Sequence, residues 1–309
     1  MPETDLKTSI LIGVAALALA VVLAACSPVA ALNALAPSGT HTLTADVAYG
    51  SGPRQQLDVY RPNTPAPPGG FPVAVFFYGG SWNTGERVDY AFVGEALASR
   101  GVVALVADYR LYPQVRYPDF LRDCAAALAY GLEHASDWGG NPRRVFVMGH
   151  SAGAYNAAML ALDARWLAAT RHAPQELAGF VGLAGPYDFL PMTNPDAQPV
   201  FFHPDYPPGT QPIDYAGADS PRSFVAAART DQLVNPERNT VGLATRLQAA
   251  GVPVSLKRYD NLSHLLLIGV FARPLRWLAP VLNDVSDFVH GAPEAGRRVA
   301  PAAAAKAPA

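Results

Sequence analysis

The chain reads as an α/β protein, a mostly parallel sheet of about eight strands with helices on both faces. Three observations predict it. From about residue 41 to 290, short apolar runs alternate with segments of helical pattern. Most of the central runs are continuously apolar rather than alternating, as in strands covered on both sides. The 309 residues are 50% hydrophobic and only 16% charged, enough to fill one large core.

Taken in order, residues 10–25 form a 16-residue apolar run that ends at Cys26. It is shorter than the roughly 20 residues of a membrane-spanning helix and fits the apolar core of a secretory signal. Residues 27–40, rich in Ser, Pro, Ala and Asn, read as a tether. The strand candidates that follow are "QQLDVYR", "PVAVFFY" (72–78), "GVVALVADY" (101–109), "RVFVMG" (144–149), "GFVGLAG" (179–185), "SFVAAAR" (223–229) and "PVSLKRY" (253–259). Helical segments fall near 86–99, 119–133, 151–168, 236–250 and 275–290. Pro118 with Asp119, and Pro236 with Glu237, are start signals for two of them. The last stretch, 291–309, is Ala/Pro-rich and reads as a disordered tail. The expected organisation is thus 1–26 signal, 27–40 tether, 41–290 α/β domain and 291–309 tail.

The formal net charge is −2 and Lys/Arg residues do not cluster, so nothing electrostatic points to nucleic acid. Of the two cysteines, Cys124 sits in an alanine-rich helical pattern and reads as a small buried hydrophobe.

Chemistry is carried by "RVFVMGHSAGAYNAAML" at 144–160. A strand gives way to a helix at Gly149-His150-Ser151-Ala152-Gly153, the G-x-S-x-G spacing of a nucleophile elbow. So tight a turn lifts Ser151 above the sheet at the positive end of a helix and needs small neighbours. The backbone N–H of Ala152 would face an oxyanion formed there. A serine hydroxyl needs a base and an orienting acid. In this architecture they follow the serine, acid first. Of seven histidines, His264 in "YDNLSHLLLI" comes directly after the last strand candidate and is the expected base. His41 and His290 read as surface residues, His134 and His172 as helix-end residues, and His203 as a loop residue. His150, inside the elbow, faces the wrong way. For the acid, Asp231 in "RTDQLVNPERN" is expected, with Asp260 as the rival and Asp188, Asp205, Asp214 and Asp219 as more distant ones. The loop "FFYGGSWNTGER" supplies the remaining oxyanion donors through Gly79, Gly80 and Ser81. The long Pro-rich and aromatic stretch 186–221 reads as a lid or a stiff surface loop, with Trp82, Tyr187 and Phe189 lining an apolar pocket.

With these residues in hand, the chain resembles the α/β-hydrolase fold over roughly residues 50–290, and within it the esterases and lipases related to hormone-sensitive lipase and to arylformamidases. "FFYGGSW" is similar to that group's H-G-G-x-W oxyanion motif, "ADYRLYPQVRYPDFLRDCAAAL" to its Y-R-L-x-P segment, "GHSAG" to its elbow, "TDQLVNP" to its acid loop and "SHLLL" to its histidine loop. Tyr78 departs from the histidine usual in that group, so the hydrogen bonds that fix the loop must differ. The resemblance implies a carboxylesterase-type serine hydrolase for small to medium esters, with no metal or cofactor. The alternatives are formamide hydrolysis by the same residues and a catalytically silent binding protein. Separately, "LAAC" at 23–26 is similar to the lipobox of bacterial lipoproteins. That implies lipidation at Cys26 and an envelope location; a plain secretory signal or an uncleaved anchor is the competing reading.

Overall fold

The computed structural model describes residues 32–33 and 39–291. The expected signal 1–26, most of the tether 27–40 and the tail from 292 onward lie outside the described residues, and with them Cys26. The described chain builds one eight-stranded sheet in the order β1-β2-β4-β3-β5-β6-β7-β8. Its strands are β1 His41–Ala48, β2 Gln56–Pro62, β3 Phe71–Phe77, β4 Val103–Ala107, β5 Gly140–His150, β6 Gly179–Leu183, β7 Ser223–Ala228 and β8 Val254–Tyr259. The β1–β2 and β2–β4 pairs are antiparallel and all later pairs are parallel. Every residue of β3, β4, β6 and β7 is buried, which explains their unbroken apolar sequences.

The helices are α1 Ala91–Ala98, α2 Asp119–His134, α3 Ala152–Leu162, α4 Ala164–Ala168, α5 Gly242–Ala249, α6 His264–Gly269 and α7 Val281–His290. Helices α2, α3 and α4 pack on one another, with α2 and α3 against β3 and β5, while α1 lies on β2 and β4 and meets α7. The expected α/β class and mostly parallel sheet are borne out.

Among the differences from the sequence reading, three have a clear physical cause. The segment 151–168 splits at Asp163, which is extended (φ −104°, ψ 102°) and caps α4 by accepting from the Arg165 N–H. The segment 275–290 begins only at Val281, because Pro274 and Pro280 remove helix donors ahead of it. Strand β1 was not among the sequence candidates. It is an exposed edge strand with a register shift between Thr44 and Val47, where Asp46 adopts φ 59°. His41 accordingly belongs to the sheet: its ring packs on Tyr60 (5.1 Å), and burial lowers its pKa against the opposing pull of Glu95.

Candidate active site

Strand β5 runs into α3 through Ser151, which holds φ 54° and ψ −122°, a conformation that costs a non-glycine residue of order 1–3 kcal/mol. The surroundings enforce it. A Cβ on Gly149 would lie 2.1 Å from the Gly153 carbonyl oxygen, and one on Gly153 would lie 2.0 Å from the Phe77 carbonyl oxygen. The Ser151 N–H donates to the Leu183 carbonyl (2.8 Å), tying the elbow to the end of β6. Helix α3 is buried along its whole length and points its N-terminus at the serine.

Two later loops bring polar groups to that hydroxyl. His264 opens α6, whose first turn is capped by the Ser263 hydroxyl accepting from the Leu266 N–H (3.2 Å). Its Nε2 lies 2.8 Å from Ser151 Oγ, and its Nδ1 lies 2.7 Å from Asp231 Oδ2. Asp231 follows β7, and its other oxygen accepts from the N–H groups of Leu233 (2.8 Å) and Val234 (3.0 Å). Burial works to raise the Asp231 pKa, but the hydrogen bond and charge of His264, with those two N–H groups, hold it below the usual carboxylate value. An ionised Asp231 selects the tautomer with hydrogen on Nδ1, leaving the Nε2 lone pair to accept from the Ser151 hydroxyl. The rival acids are engaged elsewhere: Asp260 pairs with Arg229 (2.8 Å) and Asp188 with Arg238 (2.7 Å).

His150 turns away from the Ser151 hydroxyl, as expected, yet it is part of the site's support. It is buried beneath His264, with ring centroids 4.9 Å apart, and its Nε2–H donates to the His264 carbonyl (3.0 Å). Burial and the adjacent imidazole push its pKa down to about 3, so it stays neutral. The contact spans 114 positions and left no signal in the sequence beyond the residue's place in the elbow.

The loop after β3 passes directly over the serine. A Cβ on Gly79 would lie 3.0 Å from Ser151 Cβ and 3.2 Å from His150 Nδ1. Gly80, Ser81 and Trp82 all take positive φ (119°, 49° and 59°). A side chain at Gly80 would collide with the Thr84 carbonyl oxygen at 2.3 Å. The N–H groups of Gly80 and Ser81 have no protein acceptor among the described residues. Burial pushes the Tyr90 phenol up to about 12, opposed by the backbone of Gly79, the remaining residue expected among the oxyanion donors. Ala152 stands at the first position of α3, where backbone N–H groups lack intrahelical acceptors.

Tyr78 shows how this loop is held without the usual histidine. Its hydroxyl donates to Asp108 Oδ1 (2.7 Å) and accepts from Arg54 Nη2 (2.6 Å), and its ring stacks between Tyr90 and Tyr109. Asp108 also accepts from the Arg87 N–H (2.8 Å) and Nη1 (2.6 Å), and Arg87 reaches on to Asp58 (2.9 Å) and Asp46. A second brace, absent from the sequence reading, joins the loop to α3: Trp82 Nε1 donates to the buried Asn156 Oδ1 (2.9 Å).

A cavity of about 440 Å³ opens over Ser151, lined by Ser81, Trp82, Ala152, Phe189, Met192 and His264, among others. The segment expected to be a lid forms one wall, and Asn194 Nδ2 donates to the Ser81 hydroxyl (3.1 Å). Trp82 and Phe189 line the cavity as expected. Tyr187 does not: it is fully buried, with its backbone N–H donating to Asn239 Oδ1 (2.7 Å). Its ring fills the room left by Gly182 and Gly185, where a Cβ would strike it at 2.1 and 2.5 Å. Among the described residues, no group of three His, Cys, Asp or Glu side chains could hold a metal ion.

Comparison with known proteins follows this geometry. The BD-FAE family model matches residues 57–247. Over 117 residues the chain is 38% identical to a probable isoprenylcysteine alpha-carbonyl methylesterase, ICME, of Oryza sativa subsp. japonica, covering 38% of this chain and 28% of that protein. It is 26% identical over 268 residues to esterase LipQ of Mycobacterium tuberculosis, covering 80% of this chain and 63% of that one. In each case the match spans less than two thirds of the relative. Among solved structures, a bacterial heroin esterase superposes with a TM-score of 0.66 at 22% identity, over 86% of this chain and 90% of that one. The Est2 esterase of the planctomycete Thermogutta terrifontis gives 0.65 at 21%, over 81% and 92%. At such identities the structures establish the α/β-hydrolase fold, and with the family match extending over more than half its length, the chain belongs to the BD-FAE family.

Proposed function

We propose that this chain is a carboxylesterase that cleaves small to medium carboxylic esters through an acyl-enzyme. The observation that carries the reading is the relay Asp231–His264–Ser151, with links of 2.7 and 2.8 Å, at the floor of a cavity walled by Trp82, Phe189 and Met192 together with Thr193, Asn194 and Gln232. Several of the relatives and structural neighbours are named esterases, which supports the same reaction class.

In this reading His264 Nε2 takes the Ser151 proton as Oγ bonds to the ester carbonyl carbon. The carbonyl oxygen becomes an oxyanion held by the N–H groups of Gly80, Ser81 and Ala152. Collapse of the adduct breaks the bond to the alkoxide, which leaves with the proton from His264. Water then attacks the acyl-enzyme, giving a proton to His264, and the acid departs as that proton returns to Ser151. Asp231 stays ionised throughout and stabilises the imidazolium. The substrate partner is a small-molecule ester; Trp82, Phe189 and Met192 favour an apolar acyl group.

The test is hydrolysis of p-nitrophenyl esters of graded acyl length by the full chain and by Ser151→Ala. The wild type turns over the shorter esters, and the variant loses about 10⁴-fold or more in kcat/KM with an unchanged circular dichroism spectrum. Near-wild-type activity in the variant overturns the assignment. We further propose, from residues 10–26, that the protein is lipidated at Cys26 and held at a bacterial envelope.

A further inference from the structure

The outer surface beside the cavity is unusually apolar. His264 faces inward to Ser151, and the next two residues of α6 turn outward: Leu265 is 62% exposed and Leu266 36%. A second exposed pair follows α6 in the chain, with Trp277 at 81% and Leu278 at 36%. Leu266 of the first pair and Leu275, two residues before the second, both have side-chain atoms about 3.8 Å from the Cβ direction of the buried Gly269. At the cavity rim Leu233, 71% exposed, extends the same apolar character.

Two further facts say what covers this surface. Residues 261–283 contain Arg273 and Arg276 but no carboxylate. Arg276 is committed to Glu95 (2.5 Å), whereas Arg273 forms no ion pair among the described residues. The third side chain against Gly269 is Leu32, at 3.7 Å. Leu32, six residues after Cys26 in the sequence, therefore packs beside Leu266 and Leu275 at the edge of this surface.

We propose that this face is a membrane-docking surface, with Leu265, Leu266, Trp277 and Leu278 seated in the interfacial layer of an anionic phospholipid bilayer. The occupant is the same bilayer that receives the N-terminal anchor, so the inference rests on the lipidation reading above. An aromatic side chain with one polar end and leucines beside unpaired arginine are the groups an anionic interface retains. The docking turns the rim of the Ser151 cavity toward lipid, so the substrates reached first are amphipathic esters dissolved in the membrane.

The test uses full-length protein purified from bacterial membranes and reconstituted on phosphatidylcholine/phosphatidylglycerol vesicles with brominated acyl chains. Flotation, with Cys26→Ala in parallel, reads the anchor. The difference in fluorescence between wild type and Trp277→Phe isolates Trp277 from the other three tryptophans. The proposal expects flotation, loss of most of the Trp277 signal to the bromolipid, and little quenching by aqueous iodide. Flotation with Trp277 quenched by iodide alone overturns the docking and leaves the anchor standing. Flotation with protection from both quenchers also overturns it, since a protein surface (a second copy, or residues 10–25) then covers the patch. Absence of flotation in the wild type overturns anchor and docking together. As a second readout, Trp277→Ser/Leu278→Ser loses several-fold in hydrolysis of a vesicle-borne long-chain ester while keeping its rate on p-nitrophenyl butyrate in solution; equal loss on both, or none, counts against the proposal.

Discussion

At the scale of single residues, the site depends on which groups carry charge and which stay neutral. Asp231 is held below the usual carboxylate value, so its link to His264 stabilises the fold fully above about pH 4–5 and is lost as pH falls through the depressed value. Replacing it with asparagine leaves the shape but not the preference for hydrogen on Nδ1. Asp231→Asn is predicted to lower kcat by about 10³–10⁴-fold and to lower the melting temperature near neutral pH, with an unchanged circular dichroism spectrum; a loss below tenfold in steady-state assays would contradict the role. His150 has a linkage of the same sign, set by burial and placed in a higher pH window. Its native pKa of about 3 lies below the ordinary value near 6.5, so on acidification the unfolded chain takes the proton first. Stability therefore falls between about pH 6.5 and 3, by up to about 1.4 kcal/mol per pH unit from this group. As pH is lowered from 7 to 4, urea midpoints are expected to fall more steeply in the wild type than in His150→Gln, and equal slopes would refute a buried neutral imidazole. Ser151, His264 and Asp231 were legible from spacing and chain order. The hold of His150 on the His264 carbonyl was not, because neighbours across 114 positions follow from the fold alone.

The elements show where local sequence speaks plainly and where packing overrules it. The strand-turn-helix at the elbow was readable because its steric demand is local. Gly153→Ala places a methyl group 2.0 Å from the Phe77 carbonyl oxygen, a backbone atom of a central strand that cannot yield. That variant is predicted to be destabilised by about 3 kcal/mol or more, seen as a lower urea midpoint or insoluble expression; wild-type stability would mean that the elbow is looser than its geometry. The loop after β3 was also recognisable, but the substitution at Tyr78 left its support open. That support is a relay through Arg54, Asp108 and Arg87 assembled from distant segments. Tyr187 was misplaced for a related reason. Its surroundings in sequence resemble a pocket wall, while Gly182 and Gly185 create a niche in the core that draws the ring inward.

Over the whole molecule, the apolar runs announce the parallel sheet because burial on both faces leaves no room for alternation. The edge strand β1 escapes that reading because five of its residues in a row are exposed and polar residues interrupt its apolar ones. The sheet's order brings the ends of β5, β7 and β8 to one rim, which is how a serine, a carboxylate and an imidazole more than thirty residues apart converge. The central claim is that this convergence makes Ser151 a nucleophile. Intact-mass and peptide analysis after exposure to a fluorophosphonate ester tests it most directly. The account predicts one adduct on Ser151, absent from Ser151→Ala and formed far more slowly in His264→Ala. An unlabelled wild type, or a label that persists on Ser151 at full rate without His264, would contradict it.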